Sequence, residues 1–174
     1  EETLRTEFEA LKNDFEIIRQ QIESDVVRTE LYKGEFYELT PYSYQRHGFR
    51  QGKPVKRPDT VKNTKNLCIY GFNNQNQIVE VKVGCSIENQ FYHTFLYYTD
   101  NLVKSILYDN GKHLMNVCHY FFEGGKLKRS QLCGRYGCRE ENYIYKENAL
   151  THIEVKQYDI EGNSCLLYTS DAAD

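Results

Sequence analysis

A repeat of about 25 residues between Tyr70 and Gly162 constrains the fold more than any other feature of the sequence. Each copy has two aromatic residues two positions apart, a short polar turn and then an apolar residue: Tyr70–Phe72 with Ile78, Phe95–Tyr97 with Leu102, Tyr120–Phe122 with Leu127, and Tyr143–Tyr145 with Leu150. The second aromatics lie at positions 72, 97, 122 and 145, so the steps are 25, 25 and 23. Such a period is typical of an array of similar supersecondary units that stabilise one another. The repeat predicts an architecture and assigns no chemistry.

Two turns rich in Asn, Asp and Gly interrupt each repeat, and these residues tolerate the positive φ of tight hairpins. Between the turns the polarity alternates, as in Val79 to Val83, where Glu80 and Lys82 point away from the valines. We therefore predict a mainly β (α+β) fold with an antiparallel meander of about eight strands. One face of the sheet is apolar, and we expect an N-terminal helix to cover it.

The N-terminal helix is predicted over residues 2–24 from an apolar stripe at heptad spacing. The stripe consists of Leu4, Phe8, Leu11, Phe15, Ile18 and Ile22. It favours a helix that lies on the sheet of its own chain. The alternative is a homodimer through a coiled coil, although the stripe covers fewer heptads than a coiled coil usually needs.

Four segments follow from these patterns: the helix in residues 1–30, a short strand and basic loop in 31–66, the repetitive β domain in 67–164, and a tail in 165–174. The tail, Cys165 to Asp174, departs from the repeat. All ten of its residues can be encoded by a DNA string that resembles a transposase end and adapter of sequencing libraries. We interpret the tail as a translated adapter and expect the natural chain to have been cut off near Ser164 and to continue past it.

The turns at Tyr108-Asp-Asn-Gly111 and Tyr158-Asp-Ile-Glu-Gly162 resemble those of YD (RHS-type) repeats. The stretch Tyr120-Phe-Phe-Glu-Gly-Gly-Lys126 is similar to MORN-like variants in a group of bacterial antitoxin-type proteins. The resemblance covers about residues 67–163. It implies a twisted β array in a bacterial interaction protein. Some proteins with such repeats are tied to toxin delivery or immunity. The resemblance transfers no catalytic residues to this chain.

Residues 46–65 form a basic segment, with seven Lys and Arg residues against the single acid Asp59. Tyr42, Tyr44 and Phe49 lie within or beside it, a combination suited to gripping phosphates and stacking bases. Residues 1–30 carry nine acids against four bases, so internal neutralisation of the segment is the favoured alternative. The net charge of −3 also argues against a dedicated nucleic-acid binder.

The cysteines outside the tail form an odd set of five: Cys68, Cys85, Cys118, Cys133 and Cys138. This favours reduced thiols in a cytoplasmic protein over a disulfide framework. Cys133 and Cys138 lie at the edge of zinc-site spacing without a second pair, so we predict two ordinary thiols in a turn and no metal. Cys118 and His119 are strand neighbours that point to opposite faces, which excludes them as an attacking pair.

We find no catalytic motif, no cofactor loop and no apolar run long enough to span a membrane. The favoured function is therefore a non-enzymatic protein-interaction module, of immunity or antitoxin-like type. The alternatives are a fragment of a longer structural or surface-associated repeat protein, nucleic-acid binding through residues 46–65, and an enzyme whose site is assembled across strands. The predicted partner-contact residues are Tyr97, Tyr143, Tyr145, Arg46, Arg50, Lys53, Lys56 and Arg57. For the tyrosines the alternative is packing in the core of the repeat, which we expect for at least one residue of each aromatic pair.

Overall fold

A computed structural model of the chain describes residues 2–48 and 50–171. The described part contains the helices α1 (Glu2–Ala10), α2 (Phe15–Asp25) and α3 (Ser43–His47), with 3-10 turns at Leu11–Asn13 and Pro58–Thr60. Its strands are β1 (Arg28–Lys33), β2 (Lys53–Pro54), β3 (Leu67–Phe72), β4 (Ile78–Gly84), β5 (Phe91–Tyr98), β6 (Leu102–Tyr108), β7 (Leu114–Glu123), β8 (Lys126–Gly134), β9 (Gly137–Lys146), β10 (Ala149–Tyr158) and β11 (Ser164–Asp171).

The predicted fold class is confirmed, since the chain is mainly antiparallel β with an N-terminal helical segment. Strands β3 to β10 account for the eight expected in the repetitive region, and β1, β2 and β11 bring the described total to eleven. Strand β11 lies in the segment interpreted as an adapter and pairs with β10 along its length. Residues 172–174 of that segment lie outside the described residues.

The chain divides into two compact units. The α1 unit comprises the chain up to Asn13, Tyr97–Ile106 and the chain from Leu114 onward. The α2 unit comprises Asp14–Leu96 and Leu107–His113. Within the α2 unit the strands pair antiparallel in the order β2-β1-β3-β4-β5, and within the α1 unit they pair in the order β7-β8-β9-β10-β11.

The predicted N-terminal helix is divided by the 3-10 turn at Leu11–Asn13. Leu4 and Phe8 are buried in α1, which contacts β7 and β8. Phe15, Ile18 and Ile22 are buried in α2, which contacts β4. The apolar stripe is thus already covered within the chain and is not available as the seam of a coiled coil, whereas the homodimer itself stays a prediction.

Helix α2 covers the polar-looking face of the sheet, contrary to our expectation. Its Phe15 ring packs edge-on against His93, at 5.1 Å between centroids, and its Glu23 lies 3.1 Å from the Lys82 ammonium. Lys82 and His93 are paired across β4 and β5, so they share this face, and Glu80 is buried on it beside Lys82. The valines lie on the opposite face of the sheet, and helix α2 does not cover that face.

The valine face is covered by aromatic residues that follow β1. Tyr70, which is paired with Val81, packs against Tyr37 at 5.0 Å between centroids, and its hydroxyl accepts the Phe36 N–H at 3.0 Å. Tyr32 stacks on Phe36 at 4.1 Å. The sheet of the α2 unit is therefore buried on both faces, which explains why its alternation of apolar and charged residues does not mark a solvent-facing side.

The residues that define the sequence repeat have clear positions in the hairpins. The first aromatics of all four pairs are buried: Tyr70, Phe95, Tyr120 and Tyr143. In three copies the second aromatic and the following apolar residue are cross-strand partners that close a hairpin: Phe72 with Ile78, Phe122 with Leu127, and Tyr145 with Leu150. A register irregularity beside each of these pairs bends the strand at the turn.

Three of the turns share one hydrogen-bond pattern. The side-chain oxygens of Asn73, Asp109 and Asp159 each accept the backbone N–H groups two and four residues later, at 2.8–3.0 Å. The residue three positions later has a positive φ in each case, as at Lys112 with 66° and Gly162 with 87°. Asn and Asp occur here because their short side chains satisfy the turn's own backbone.

Candidate functional site

The basic segment, residues 46–65, is held against the sheet in its middle and at its end within the α2 unit. In its middle β2 pairs with β1, and the Val55 N–H donates to the Leu31 carbonyl at 2.9 Å. At its end the Asn66 N–H donates to the Gly84 carbonyl at 2.9 Å. Gly84 is required there, because a Cβ would collide with the Thr64 carbonyl oxygen. The backbone that carries these basic side chains is therefore held in place by hydrogen bonds to the sheet.

The side chains of the segment face solvent. Arg50, Lys53, Lys56, Arg57, Lys62 and Lys65 are exposed, and Arg46 is half-buried. The predicted contact residues of this group are thus on the surface, on a backbone that holds them within one stretch of chain. Seven positive charges against one negative charge give this surface a charge of about +6.

The acids of the N-terminal helices have partners elsewhere. Glu7 contacts the Lys104 ammonium and lies 2.8 Å from His119 Nε2 in the α1 unit. Glu16 lies 2.6 Å from the Lys112 ammonium, and Glu23 contacts Lys82, both in the α2 unit. These contacts satisfy three of the carboxylates on which internal neutralisation of the basic segment would depend.

The aromatic residues beside the segment are used internally. Tyr44 is half-buried and donates its hydroxyl to the Phe36 carbonyl at 2.9 Å, and burial raises the pKa of this hydroxyl. Tyr42 is half-buried at the start of α3 with a positive φ of 63°. Phe49 lies outside the described residues. Both described rings are therefore only partly exposed, whereas stacking of bases requires an open ring face.

The three tyrosines predicted as partner contacts lie in the α1 unit and differ in accessibility. Tyr143 is only 3 % exposed and donates its hydroxyl to the buried Glu141 carboxylate at 2.5 Å, so it is a core residue rather than a surface contact. Tyr97 and Tyr145 are half-buried. Lysine ammonium groups lie over both rings, with Lys104 5.4 Å from the centroid of Tyr97.

The prediction of reduced thiols is wrong for one pair, because Cys133 and Cys138 form a disulfide. The two residues are directly opposite each other in the β8–β9 hairpin. A disulfide forms only between cysteines whose backbones lie this close together. Cys68, Cys85 and Cys118 are free. The cysteine argument for a cytoplasmic protein therefore no longer holds, and the compartment stays a prediction.

The disulfide closes a short tip that the sequence predicted as an ordinary turn and not as a contact surface. Gly134 and Gly137 are paired, so Arg135 and Tyr136 form the turn itself, and both side chains are exposed. Tyr136 is 84 % exposed, more than any other large hydrophobic side chain in the described part of the chain. The feature of the sequence that indicates this tip is the pair of glycines enclosed by the pair of cysteines.

A groove of about 520 Å³ lies beside this tip within the α1 unit. The residues that line it include Met115, Leu132, Gln157, Arg135, Tyr136 and Arg139. The lining combines apolar surface with a few polar groups, which is typical of binding grooves.

Two observations bear on nucleophilic and metal chemistry in the described residues. Burial raises the pKa of the Cys118 thiol to about 12, so it is a weak nucleophile at neutral pH. Among residues 2–48 and 50–171, no three His, Cys, Asp or Glu side chains are grouped closely enough to hold a metal ion.

No family model, curated protein or solved structure matches the chain. The resemblance to YD and MORN-like repeats therefore stays a prediction. In the part of the chain that the structure describes, none of the helices has the length and hydropathy to cross a membrane.

Proposed function

We propose that the chain is a non-enzymatic protein-interaction module that binds an acidic surface of a partner protein through the basic segment. The observation that carries this proposal is a stretch of backbone, fixed to the sheet at residues 53–55 and again at Asn66, that presents exposed Lys53, Lys56, Lys62 and Lys65. A fixed backbone loses little conformational entropy on binding. The resemblance stated above adds a bacterial immunity or antitoxin-like protein as the proposed setting.

Recognition through this segment would use side chains rather than an added β-strand. Strand β2 is an edge strand of only two residues, Lys53 and Pro54. Lysine and proline on a short edge strand oppose pairing with another strand, since proline has no N–H to donate. Charge complementarity therefore governs the association, and it acts mainly on the association rate.

Nucleic-acid binding through the same segment is the second candidate, since it also needs a basic surface. The internal hydrogen bond of Tyr44 and the half-buried positions of Tyr44 and Tyr42 reduce the access of bases to two of the rings on which stacking was predicted. These contacts favour a protein partner over a single-stranded nucleic acid.

The test is quantitative affinity capture from a nuclease-treated lysate of the source cells. A variant with Lys53, Lys56, Lys62 and Lys65 changed to Gln is compared with the wild type. The matched control changes four other exposed lysines to Gln: Lys12, Lys128, Lys146 and Lys156. A specific protein retained by the wild type and the control, and reduced roughly tenfold or more with the first variant, supports the proposal.

The same three proteins are titrated with a fluorescent 20-nucleotide single strand at several salt concentrations. Binding that falls steeply with salt and is lost only in the first variant would identify nucleic acid, and not a protein, as the partner. If the two variants retain the same proteins in equal amount, the basic segment is not the interface.

A further inference from the structure

We propose that Lys33, Lys53 and Lys65 form the point of contact for a carboxylate cluster on the partner protein. These three residues, called the lysine corner below, come from β1, from β2 and from the loop that precedes β3. The inference rests on the proposed function, because it names the place on the basic surface where the acidic partner binds. It adds Lys33, which lies outside the basic segment and was not a predicted contact residue.

Strand register places two of these lysines side by side. Lys33 of β1 is directly opposite Lys53 of β2, and both side chains are exposed. Directly opposite residues of an antiparallel pair share a face and lie close together, so like charges at such positions repel each other. The neighbour of Lys33 on its other side is Leu67 of β3, and β2 is an edge strand. The row of paired residues therefore supplies no acid that relieves the repulsion.

Lys33 also contacts the end of the basic segment. Its ammonium group donates to the Lys65 carbonyl at 2.5 Å and to the Asn63 carbonyl at 3.3 Å. The Lys65 N–H in turn donates to the side-chain oxygen of Asn63 at 2.8 Å. Hydrogen bonds to neutral carbonyls leave the positive charge of Lys33 in place, and the Lys65 side chain is exposed. The corner therefore holds three positive charges from three separate stretches of chain.

Close contacts fix the backbone of the corner. Gly52 precedes Lys53, and a Cβ at Gly52 would collide with the Gly34 carbonyl oxygen. The Gly52 N–H donates to the Glu35 carbonyl at 2.5 Å, and the Gly34 N–H donates to the Asn66 carbonyl at 2.8 Å. The backbone atoms that carry the lysines therefore keep their spacing before a ligand binds, which lowers the entropic cost of binding.

The acids near the corner do not neutralise it. Glu35 lies just after β1, and the charged groups that act on its carboxylate are Glu38 and His47. Glu88 lies in the β4–β5 turn, which donates a hydrogen bond to the loop before β3. In the part of the chain that the structure describes, no carboxylate forms an ion pair with any of the three lysines. Residues 33–66 carry eight Lys and Arg residues against three acids, and Glu88 makes four, so an excess of four positive charges remains.

An acidic stretch of a protein fits this arrangement. A carboxylate between the Lys33 and Lys53 ammonium groups turns their mutual repulsion into two attractive, charge-assisted contacts. The half-buried Tyr42 and Tyr44 beside the segment favour recognition by charge over stacking of bases. The occupant is therefore a carboxylate cluster, with nucleic acid as the alternative that the experiment distinguishes.

The experiment measures the binding of a fluorescent decaglutamate peptide to the full-length chain by fluorescence anisotropy at low salt. The variants are Lys33→Gln, Lys53→Gln and Lys65→Gln, and Lys33→Arg retains both the charge and the hydrogen-bond donors. The matched control is Lys146→Gln, which changes an exposed lysine of the α1 unit. Thermal unfolding followed by circular dichroism is recorded for every variant.

We expect each change to Gln in the corner to weaken binding by roughly threefold, the size of an exposed charge contact. Lys33→Arg and Lys146→Gln should bind as the wild type does. Lys53→Gln should not lower the melting temperature, because the charge that it removes is repelled by Lys33 in the free protein. A lysine with a purely structural role would instead lower the melting temperature without this pattern of binding.

The variant Lys33→Gln separates this inference from the proposed function. If it binds the peptide as the wild type does, while the basic-segment variant with four lysines changed does not, the corner is not the contact point and the proposed function stands. Equal weakening by Lys33→Arg and Lys33→Gln would also overturn the inference, as would a wild type that does not bind the peptide. Tighter binding of a single-stranded oligonucleotide, lost in Lys33→Gln, would identify nucleic acid as the occupant. Failure of the proposed function shows separately, as equal retention of lysate proteins by the basic-segment variant and its control.

Discussion

Replacing Phe15 by Ala tests whether the N-terminal apolar stripe belongs to the core of its own chain. Phe15 is 4 % exposed in α2 and packs on the rings of His93, Phe95 and Tyr108, at 5.1, 5.9 and 5.2 Å between centroids. The Lys112 ammonium lies 5.4 Å from its centroid. The substitution removes all of these ring contacts and leaves a cavity between helix and strands.

The expected loss follows from the size of the group removed. Truncating a buried phenylalanine to alanine costs about 3–5 kcal/mol, which includes the cavity. Edge-to-face ring pairs contribute roughly 0.5–1.5 kcal/mol each beyond the buried area. Phe15 forms two such pairs, with His93 and Tyr108, and a tilted one with Phe95, which places it in the upper part of that range. We expect a loss of about 4–5 kcal/mol, or roughly 8–20 °C in the melting temperature for a chain of this length.

The measurement is urea unfolding followed by far-ultraviolet circular dichroism. Ile17→Ala is the matched control, because Ile17 lies two residues further along the same helix and is 59 % exposed. It should change the free energy of unfolding by less than about 0.5 kcal/mol. If Phe15→Ala costs under 1 kcal/mol, or if the two substitutions cost the same, the packing of α2 on the sheet has been misassigned. Stability of the wild type that rises with protein concentration would instead indicate a dimer.

The remaining predictions concern titratable groups. Burial lowers the pKa of His119 despite the nearby Glu7 carboxylate. Because the folded-state pKa lies below the unfolded value of about 6.5, the stabilisation is complete above that pH and is lost as the pH falls through the folded-state pKa. The free energy of unfolding between pH 8 and 5 should therefore fall more in the wild type than in His119→Asn, and parallel curves would contradict this. Burial also raises the pKa of the Cys68 thiol to about 11 and that of Cys118 to about 12. Site-resolved mass spectrometry after brief treatment with a thiol reagent at pH 8 should find Cys85 modified and both buried thiols intact, and rapid labelling of either buried thiol would contradict the packing.

Local chemistry allowed much of the strand arrangement to be predicted. The turns expected after Phe72 and Tyr108 occur there, since an Asn or Asp side chain bonds to its own turn without help from distant residues. The pairing of Tyr145 with Leu150 likewise joins residues separated by a single short turn. Interactions over so few residues are encoded in the local sequence, so pattern reasoning reaches them.

Which face each helix covers could not be predicted in the same way. Alternation in β4 suggested that the valines face the helix, but α2 lies on the side of Glu80 and Lys82. The sheet of this unit is covered on both faces, and period-two alternation tells which residues share a face without telling what lies on it. The choice depends on the paths of α2 and of the aromatic segment after β1.

The candidate sites also differ in how far the sequence alone predicts them. Charge is a property of the sequence, so the basic segment was evident from it. The Cys133–Cys138 bond was not, because two cysteines with this spacing are bonded only when strand register sets them opposite each other. The groove beside Tyr136 depends further on β10 lying next to the hairpin.

The sequence by itself determined that this chain is a β meander with helical cover, where its hairpins turn, and which stretch carries the positive charge. These properties depend on residue type and on neighbours within a few positions. Only the tertiary structure decided that Tyr143 is core, that the helix acids pair with lysines outside the basic segment, and that a disulfide fixes Arg135 and Tyr136 above a groove. Each of these depends on the register and packing of residues far apart in the chain, and such long-range contacts are not specified by any local pattern.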